Sequence, residues 1–278
     1  MSNAPAAEAL APGRAERAAR AGVLAYVLLL VAVPLVAVAH LGFADGLASF
    51  WESVSAPQVR SALWLTLWSA FVVAVINALL GTATAWVLVR YRLPAKSLVS
   101  ALVDLPLAIP TLVAGIMIAI LYGPTSAIGS TLSGWGIDVV FAQPGIVLAL
   151  LFVTLPFVVR AVEPVLLEID PAEEEAAIVL GAGPWRTFRT VFLPAIAPAA
   201  LSGSIRSLGR ALGEFGAIVV VAGNIPFRTL TAPVLVFGEV ESGAPRSAAA
   251  VSVVLLAIAL ALHTLARFVE KKARRRHD

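Results

Sequence analysis

Cysteine is absent from this 278-residue chain, and charged side chains make up only 13% of it. The lack of cysteine excludes a disulfide framework, a thiolate metal site and a cysteine nucleophile. The shortage of charge excludes an ordinary soluble surface, because soluble domains contain about a quarter charged residues. The sequence also lacks a Walker A pattern, an HExxH pattern and any obvious triad. It therefore predicts no catalytic residue, no cofactor bound by this chain and no metal site.

Apolar residues are what the chain has in excess: they account for 60% of it, and the mean hydropathy is +0.93. A membrane-spanning helix needs about 20 mostly apolar residues. Six segments meet that requirement, so the sequence predicts an all-α membrane protein with six transmembrane helices. The predicted spans are residues 22–42, 61–89, 98–122, 143–167, 196–222 and 245–268.

The first apolar segment follows three arginines and contains a small-residue motif, which is also the pattern of a secretory signal peptide. Its apolar run extends from Gly22 to Leu41. Because signal-peptide cores are usually shorter than a full span, we interpret this segment as the first transmembrane helix.

The distribution of lysine and arginine predicts the orientation of the chain. Fifteen of these residues fall on the side of both termini, whereas only Arg60, Arg228 and Arg246 fall on the other. The positive-inside rule then predicts an inner-membrane, multi-pass protein with both termini in the cytoplasm, and it explains the basic residues without a nucleic-acid partner. The fifteen are Arg14, Arg17, Arg20, Arg90, Arg92, Lys96, Arg160, Arg186, Arg189, Arg267, Lys271, Lys272, Arg274, Arg275 and Arg276.

Three regions follow from this topology. Residues 1–21 are predicted to be a disordered cytoplasmic amino terminus, and residues 22–268 form the six-span domain. Residues 269–278 form a basic cytoplasmic tail, which we expect to bind anionic membrane lipid.

The connection between the fourth and fifth spans, residues 168–198, predicts a helix–turn–helix that we call the elbow. Asp170 is a good N-cap, Pro171 suits the first helical position, and Glu173 has the spacing of a capping box. Gly181 can end this helix in a left-handed conformation. A second short helix is predicted up to Phe192, with the following Leu-Pro pair ending it.

The elbow contains a spaced motif: Glu175-Ala176-Ala177, three residues, Gly181, nine residues, then Val191, Leu193 and Pro194. This pattern resembles the EAA loop of ABC importer permeases, with Val191 at a position where that family usually has isoleucine. The resemblance implies the architecture of a type I, MetI-like importer permease. It also implies that the elbow docks in a groove of a separate cytoplasmic ABC ATPase dimer, which would hold ATP and magnesium. An ordinary amphipathic interfacial helix is the alternative interpretation.

The predicted fifth span contains three charged residues, Arg206, Arg210 and Glu214, at the spacing of one helical face. Ionisable residues at membrane depth usually face the interior of a helix bundle and pair with one another. One interpretation is a structural ion-pair ladder that includes an Arg210–Glu214 pair. The other is an anion pathway lined by the two arginines. Asp104, in the third span, either pairs with one of these arginines or lies at the cytoplasmic end of its own span.

Residues 209–229, together with 104–115, 121–129 and 156–169, resemble the T-type permeases of sulfate/thiosulfate importers. This resemblance covers about residues 60–268. It implies a heterodimer with a second, W-type permease, and a periplasmic sulfate/thiosulfate-binding protein. A molybdate/tungstate permease, an ATPase-independent secondary anion transporter and a membrane scaffold or receptor subunit are the alternatives.

Overall fold

A computed structural model of the protein describes the backbone of residues 14–274 and the side chains of residues 16–269. Within the described part of the chain, every regular element is helical. The helices are α1 Arg14–Val27, α2 Val33–Gly42, α3 Gly46–Ser55, α4 Pro57–Arg90, α5 Lys96–Ala108, α6 Thr111–Tyr122, α7 Ala127–Gly134, α8 Gln143–Glu168, α9 Pro171–Val179, α10 Pro184–Thr187, α11 Leu193–Leu212, α12 Gly216–Val221, α13 Ala232–Glu241 and α14 Pro245–Arg274. Two π-helical turns, Leu28–Ala32 and Phe188–Phe192, join α1 to α2 and α10 to α11.

Five helical stretches among the described residues are long and apolar enough to cross a membrane, and a bent pair of helices would make a sixth. The five are Glu16–Gly42, Pro57–Arg90, Gln143–Glu168, Pro184–Leu212 and Pro245–Val269. The predicted spans 22–42, 61–89, 143–167 and 245–268 each lie within or nearly coincide with one of these stretches. Residues 14–21, predicted to be part of a disordered amino terminus, are helical and belong to α1. Residues 1–13 and 275–278 lie outside the described residues.

The predicted third span, 98–122, is not one straight helix. It consists of α5 and α6, whose axes meet at 110°. Ile109, at the junction, has ψ 130°, and Pro110 has ψ 130° as well, so neither residue continues the helix. A proline ring disfavours the helical conformation of the residue before it, which explains why the break falls at Ile109.

The predicted fifth span, 196–222, is also different in the structure. Its helix begins earlier, at Pro184, and ends at Leu212. A short non-helical segment, residues 213–215, separates it from α12. The prediction of one continuous span through Glu214 was therefore wrong.

The core is formed by α4, α8 and α11, which approach one another closely at two glycines. A Cβ atom on Gly81 of α4 would lie 2.7 Å from the Cβ of Val158 on α8. A Cβ atom on Gly203 of α11 would lie 2.9 Å from the Cα of the same Val158. Small residues at such contacts let helix backbones pack directly, which is the main source of attraction between helices in lipid.

A buried polar cluster joins the same three helices. The side-chain amide of Asn77 on α4 donates to the Thr154 hydroxyl on α8 at 2.8 Å and to the Ser207 hydroxyl on α11 at 3.3 Å. All three residues are fully buried. The cluster fixes the relative positions of the three helices, because moving any of them would leave a polar group without its partner in an apolar interior.

Candidate coupling site

The first helix of the elbow, α9, begins as the sequence predicts. The Asp170 carboxylate accepts a hydrogen bond from the backbone N–H of Ala172 at 2.9 Å, and Pro171 occupies the first helical position. The backbone N–H of Glu173 donates instead to the Asp170 carbonyl oxygen, at 3.0 Å. The N-cap is thus present, but its carboxylate accepts from the N–H of the second residue of the helix. A capping box would require the third residue, so the capping box is absent.

The end of α9 is a Schellman motif. Gly181 has φ +81°, and its N–H donates to the Ile178 carbonyl at 2.9 Å. The N–H of Ala182 donates to the Ala177 carbonyl at 3.0 Å. A side chain at position 181 would be strained by this positive φ, so glycine is the residue that the turn requires.

The second half of the elbow corrects the prediction that Leu193-Pro194 ends a short helix. The chain stays helical from Pro184 through the π turn Phe188–Phe192 and directly into α11. The N–H of Leu193 donates to the carbonyl of Phe188, five residues earlier. This wider turn accommodates Pro194 immediately after it, because the proline lacks an N–H and its ring needs space next to the preceding turn.

The residues of the EAA-like motif lie on both arms of the elbow. Glu175, Ala176 and Gly181 are exposed on the first arm, and Ala177 is half-buried. On the second arm Val191 is half-buried, whereas Leu193 and Pro194 are exposed.

The turn between the arms exposes large apolar side chains. Val179 is 86% exposed, Leu180 84% and Trp185 71%, and α9 buries none of its residues. Apolar side chains exposed together on a surface are typical of sites that contact another protein or a membrane.

A contact that the sequence did not reveal connects the elbow to α4. One terminal nitrogen of Arg90 lies 2.6 and 2.7 Å from the two carboxylate oxygens of Glu174. The same guanidinium lies over two aromatic rings, with its carbon 4.8 Å from the centre of Phe192 and 5.7 Å from that of Trp86. The signal in the sequence was a tryptophan one turn before an arginine at the end of a span, a spacing that permits cation–π contact.

The pair between Arg210 and Glu214 is present, with 2.7 Å between a terminal nitrogen and a carboxylate oxygen. Glu214 is only 1% exposed, and its other oxygen accepts from the Ala217 N–H at 3.0 Å. The sequence predicted that Arg206, Arg210 and Glu214 share one helical face. This is wrong for Glu214, because α11 ends at Leu212. Glu214 lies in the non-helical segment, where its carboxylate also caps α12.

Asp104 pairs with a residue that was not predicted as its partner. Arg160 on α8 donates to both Asp104 oxygens, from Nε at 2.7 Å and from Nη2 at 2.6 Å. Arg160 also contacts Glu163 and the hydroxyl of Ser100. The expectation that Asp104 could pair with Arg206 or Arg210 is thus replaced by a two-bond contact between α5 and α8, the geometry that guanidinium favours.

Comparison with known proteins shows which family has this architecture. The family described as "Binding-protein-dependent transport system inner membrane component" matches residues 77–275. The chain is 41% identical over 239 residues to the "Sulfate transport system permease protein CysT" of Escherichia coli, covering 86% of both chains. It is equally identical to the "Probable sulfate transport system permease protein cysT" of Chlorokybus atmophyticus, over 86% of this chain and 84% of the relative.

A solved structure of similar fold is a bacterial ABC transporter involved in the import of alginate. It has a TM-score of 0.75 at 19% identity, covering 93% of this chain and 94% of that one. The helical architecture and the family match agree that this is a multi-pass membrane protein. The chain belongs to the inner-membrane components of binding-protein-dependent transport systems, the permease subunits of ABC importers.

Proposed function

We propose that this chain is the T-type permease subunit of an ATP-driven importer that moves sulfate and thiosulfate across the inner membrane. The observation that carries the proposal is its 41% identity, over most of its length, to relatives named as sulfate transport permeases. In this arrangement the chain itself has no catalytic residue. ATP and magnesium are held by a separate ATPase dimer.

The elbow is the part of the chain that docks on this ATPase. Its exposed turn, with Val179, Leu180 and Trp185, provides the apolar surface that a protein groove would cover. The exposed Glu175, Ala176 and Gly181 lie beside that turn. Both termini and the elbow are then on the cytoplasmic side, as the excess of basic residues there supports.

The rest of the importer follows from the family. A W-type permease forms the other half of the pore, and a periplasmic sulfate/thiosulfate-binding protein delivers the anion. Substrate selectivity then depends on this binding protein as well as on the two permeases.

The two arginine–carboxylate pairs, Arg210–Glu214 and Arg160–Asp104, serve mainly to hold helices together. Both oxygens of Glu214 are occupied, one by Arg210 and one by the backbone of α12. Asp104 is occupied in the same way by Arg160. An arginine whose charge is already matched by a carboxylate attracts an anion less than an unmatched one does. The alternative, in which Arg206 and Arg210 line an anion pathway, stays a prediction.

Uptake measurements test the substrate. A strain without its own T-type permease, supplied with this chain and its partner subunits, should take up labelled sulfate and thiosulfate and lose both when this chain is removed. Loss of molybdate uptake with intact sulfate uptake would contradict the proposal in favour of a molybdate permease.

Copurification tests the docking role of the elbow. Trp185→Ala should reduce the amount of ATPase that copurifies with the permease. Trp135→Ala is the matched control, because Trp135 is 72% exposed but lies in the connection between α7 and α8. Sulfate uptake that persists after deletion of residues 175–181 would instead favour a membrane scaffold or receptor subunit, or a transporter that needs no ATPase.

A further inference from the structure

Arg90 lies where three elements of the protein meet. It is the last residue of α4, and it pairs with Glu174 in the first turn of α9. Its guanidinium covers the ring of Phe192, which belongs to the π turn before α11. We call these residues, together with Trp86, the clasp.

The aromatic residues of the clasp contact each other directly, independently of Arg90. The Trp86 ring meets Phe192 edge-on at 4.9 Å between ring centres, and it meets Phe188 edge-on at 5.3 Å. These contacts attach the end of α4 to the second arm of the elbow. The guanidinium lies over this aromatic surface, so its planar fork is already oriented toward Glu174.

The first arm of the elbow has little else to hold it to the membrane domain. No residue of α9 is buried. Arg90–Glu174 is a hydrogen-bonded contact that joins α9 to a span. The two side chains are 35% and 26% exposed, so water and salt screen this pair less than a fully exposed one.

α4 extends from the clasp into the core of the membrane domain. It is a continuous helix of 34 residues, and it carries both Gly81 and Asn77 of the core contacts. A stiff helix fixed at one end to the elbow and along its length to α8 and α11 transmits a displacement of the elbow over its full length.

We propose that Arg90 is a positioning residue for energy coupling: the clasp makes α4 move together with α9 when the ATPase moves the elbow. This inference rests on the proposed docking of the elbow. Without the Arg90–Glu174 pair, the first arm of the elbow would act on α4 less directly. It would act through its covalent connection to α8 and through the second arm, whose Phe188 and Val191 pack against the core. Hydrolysis would then continue with less transport for each ATP consumed.

The test uses the complete importer, with both permeases, the ATPase dimer and the binding protein, reconstituted in proteoliposomes. ATP hydrolysis and labelled-sulfate uptake are measured in the same vesicles. Arg90→Gln should leave ATPase copurification at the wild-type amount and raise the ATP consumed per sulfate about threefold, the size expected when one residue in a coupling network is changed. Arg92→Gln is the matched control, since Arg92 is exposed two residues further along. It should not change the ratio.

A double variant tests whether Arg90 and Glu174 act through their contact with each other. If Arg90 acts through Glu174, Arg90→Gln/Glu174→Gln should be no worse than either single variant, because both remove the same contact. Arg90→Lys should restore part of the coupling, since lysine keeps the charge without the planar fork.

Three results would overturn the inference. These are an unchanged ratio in Arg90→Gln, additive effects in the double variant, or loss of ATPase copurification in Arg90→Gln, which would assign the clasp to docking alone. Failure of the proposed function is seen separately, as a wild-type complex that binds no ATPase or moves no sulfate.

Discussion

In the core formed by α4, α8 and α11 the large apolar side chains are covered, whereas at the turn of the elbow they are exposed. Ile146, Leu150 and Val158 are at most 1% exposed, while Val179 and Leu180 are more than 80% exposed. The core is complete within one chain, because glycines bring its helices into contact and a buried polar cluster fixes their positions. The turn of the elbow is folded by local rules and leaves its apolar residues exposed for a partner. Substitutions in the core should therefore reduce stability, and substitutions at the tip of the elbow should reduce assembly.

The largest effect on stability is expected for Glu214→Gln. The substitution leaves the Arg210 guanidinium without its charged partner, and hydrogen bonds to charged groups contribute about 1.5–3 kcal/mol. Thermal unfolding of the purified permease in detergent measures the loss. Glu173→Gln, at an exposed position, is the control and should change stability by less than about 0.5 kcal/mol.

The double variant Arg210→Gln/Glu214→Gln sharpens this result. Removing both charges should recover much of the stability, since no unpaired charge remains. If the double variant is stable but has lost sulfate uptake, the pair belongs to the anion pathway and our assignment of a structural role is wrong.

A smaller loss, about 1–3 kcal/mol, is expected for Gly203→Ala, because the added methyl group would overlap the backbone of Val158. Gly209→Ala on the same helix is the matched control, as a Cβ there has no neighbouring atom within 4 Å. The control should be neutral or slightly stabilising, since alanine favours helix more than glycine does. Equal losses in both variants would argue against direct helix contact at Gly203.

Asn77→Leu should cost about 0.6 kcal/mol, the average measured for hydrogen bonds between membrane helices, and at most about 1.7 kcal/mol. Leucine removes the donor that Thr154 and Ser207 share. The unfolding midpoint in detergent reports the change. No loss at all would mean that the apolar contacts of the core are sufficient to fix α4, α8 and α11.

The smallest effect on stability, within about 0.5 kcal/mol, is expected for Leu180→Asn. Leu180 is exposed at the turn of the elbow, so its replacement removes no contact within the chain. The amount of ATPase that copurifies should nevertheless fall. Ile137→Asn, an exposed apolar residue outside the elbow, should leave that amount unchanged. A large fall in the unfolding midpoint of Leu180→Asn would contradict the contrast between core and elbow.

Local features of this fold were predictable from the sequence, and contacts between distant segments were not. The N-cap at Asp170 and the left-handed Gly181 follow from residue types a few positions apart, and both are present. Four of the spans follow from length and hydropathy alone. The break at Ile109 has its cause in the sequence, in Pro110, but hydropathy averages over single residues and does not register it.

The partner of a charged side chain can be predicted from the sequence when the two residues are close along the chain, and otherwise it depends on how the helices pack. Glu214 and Arg210 are close in sequence, so their pairing could be predicted. Asp104 and Arg160 are 56 residues apart, and Arg90 and Glu174 are 84 apart, so only the packing of α5 on α8 and of α9 beside α4 reveals these pairs.

The 110° bend between α5 and α6 also determines which part of the protein can face lipid. At such a corner the helix ends leave backbone N–H and carbonyl groups without helical partners, and hydrocarbon chains offer them none. In this protein the corner is covered by a second interruption, the start of α12: a Cβ on Gly216 would lie 2.3 Å from the Thr111 hydroxyl, and one on Gly115 would lie 2.6 Å from the Ala217 carbonyl oxygen. On this side the two interruptions cover each other, so acyl chains can reach the corner only from its other side, where Ala108 and Pro110 are exposed.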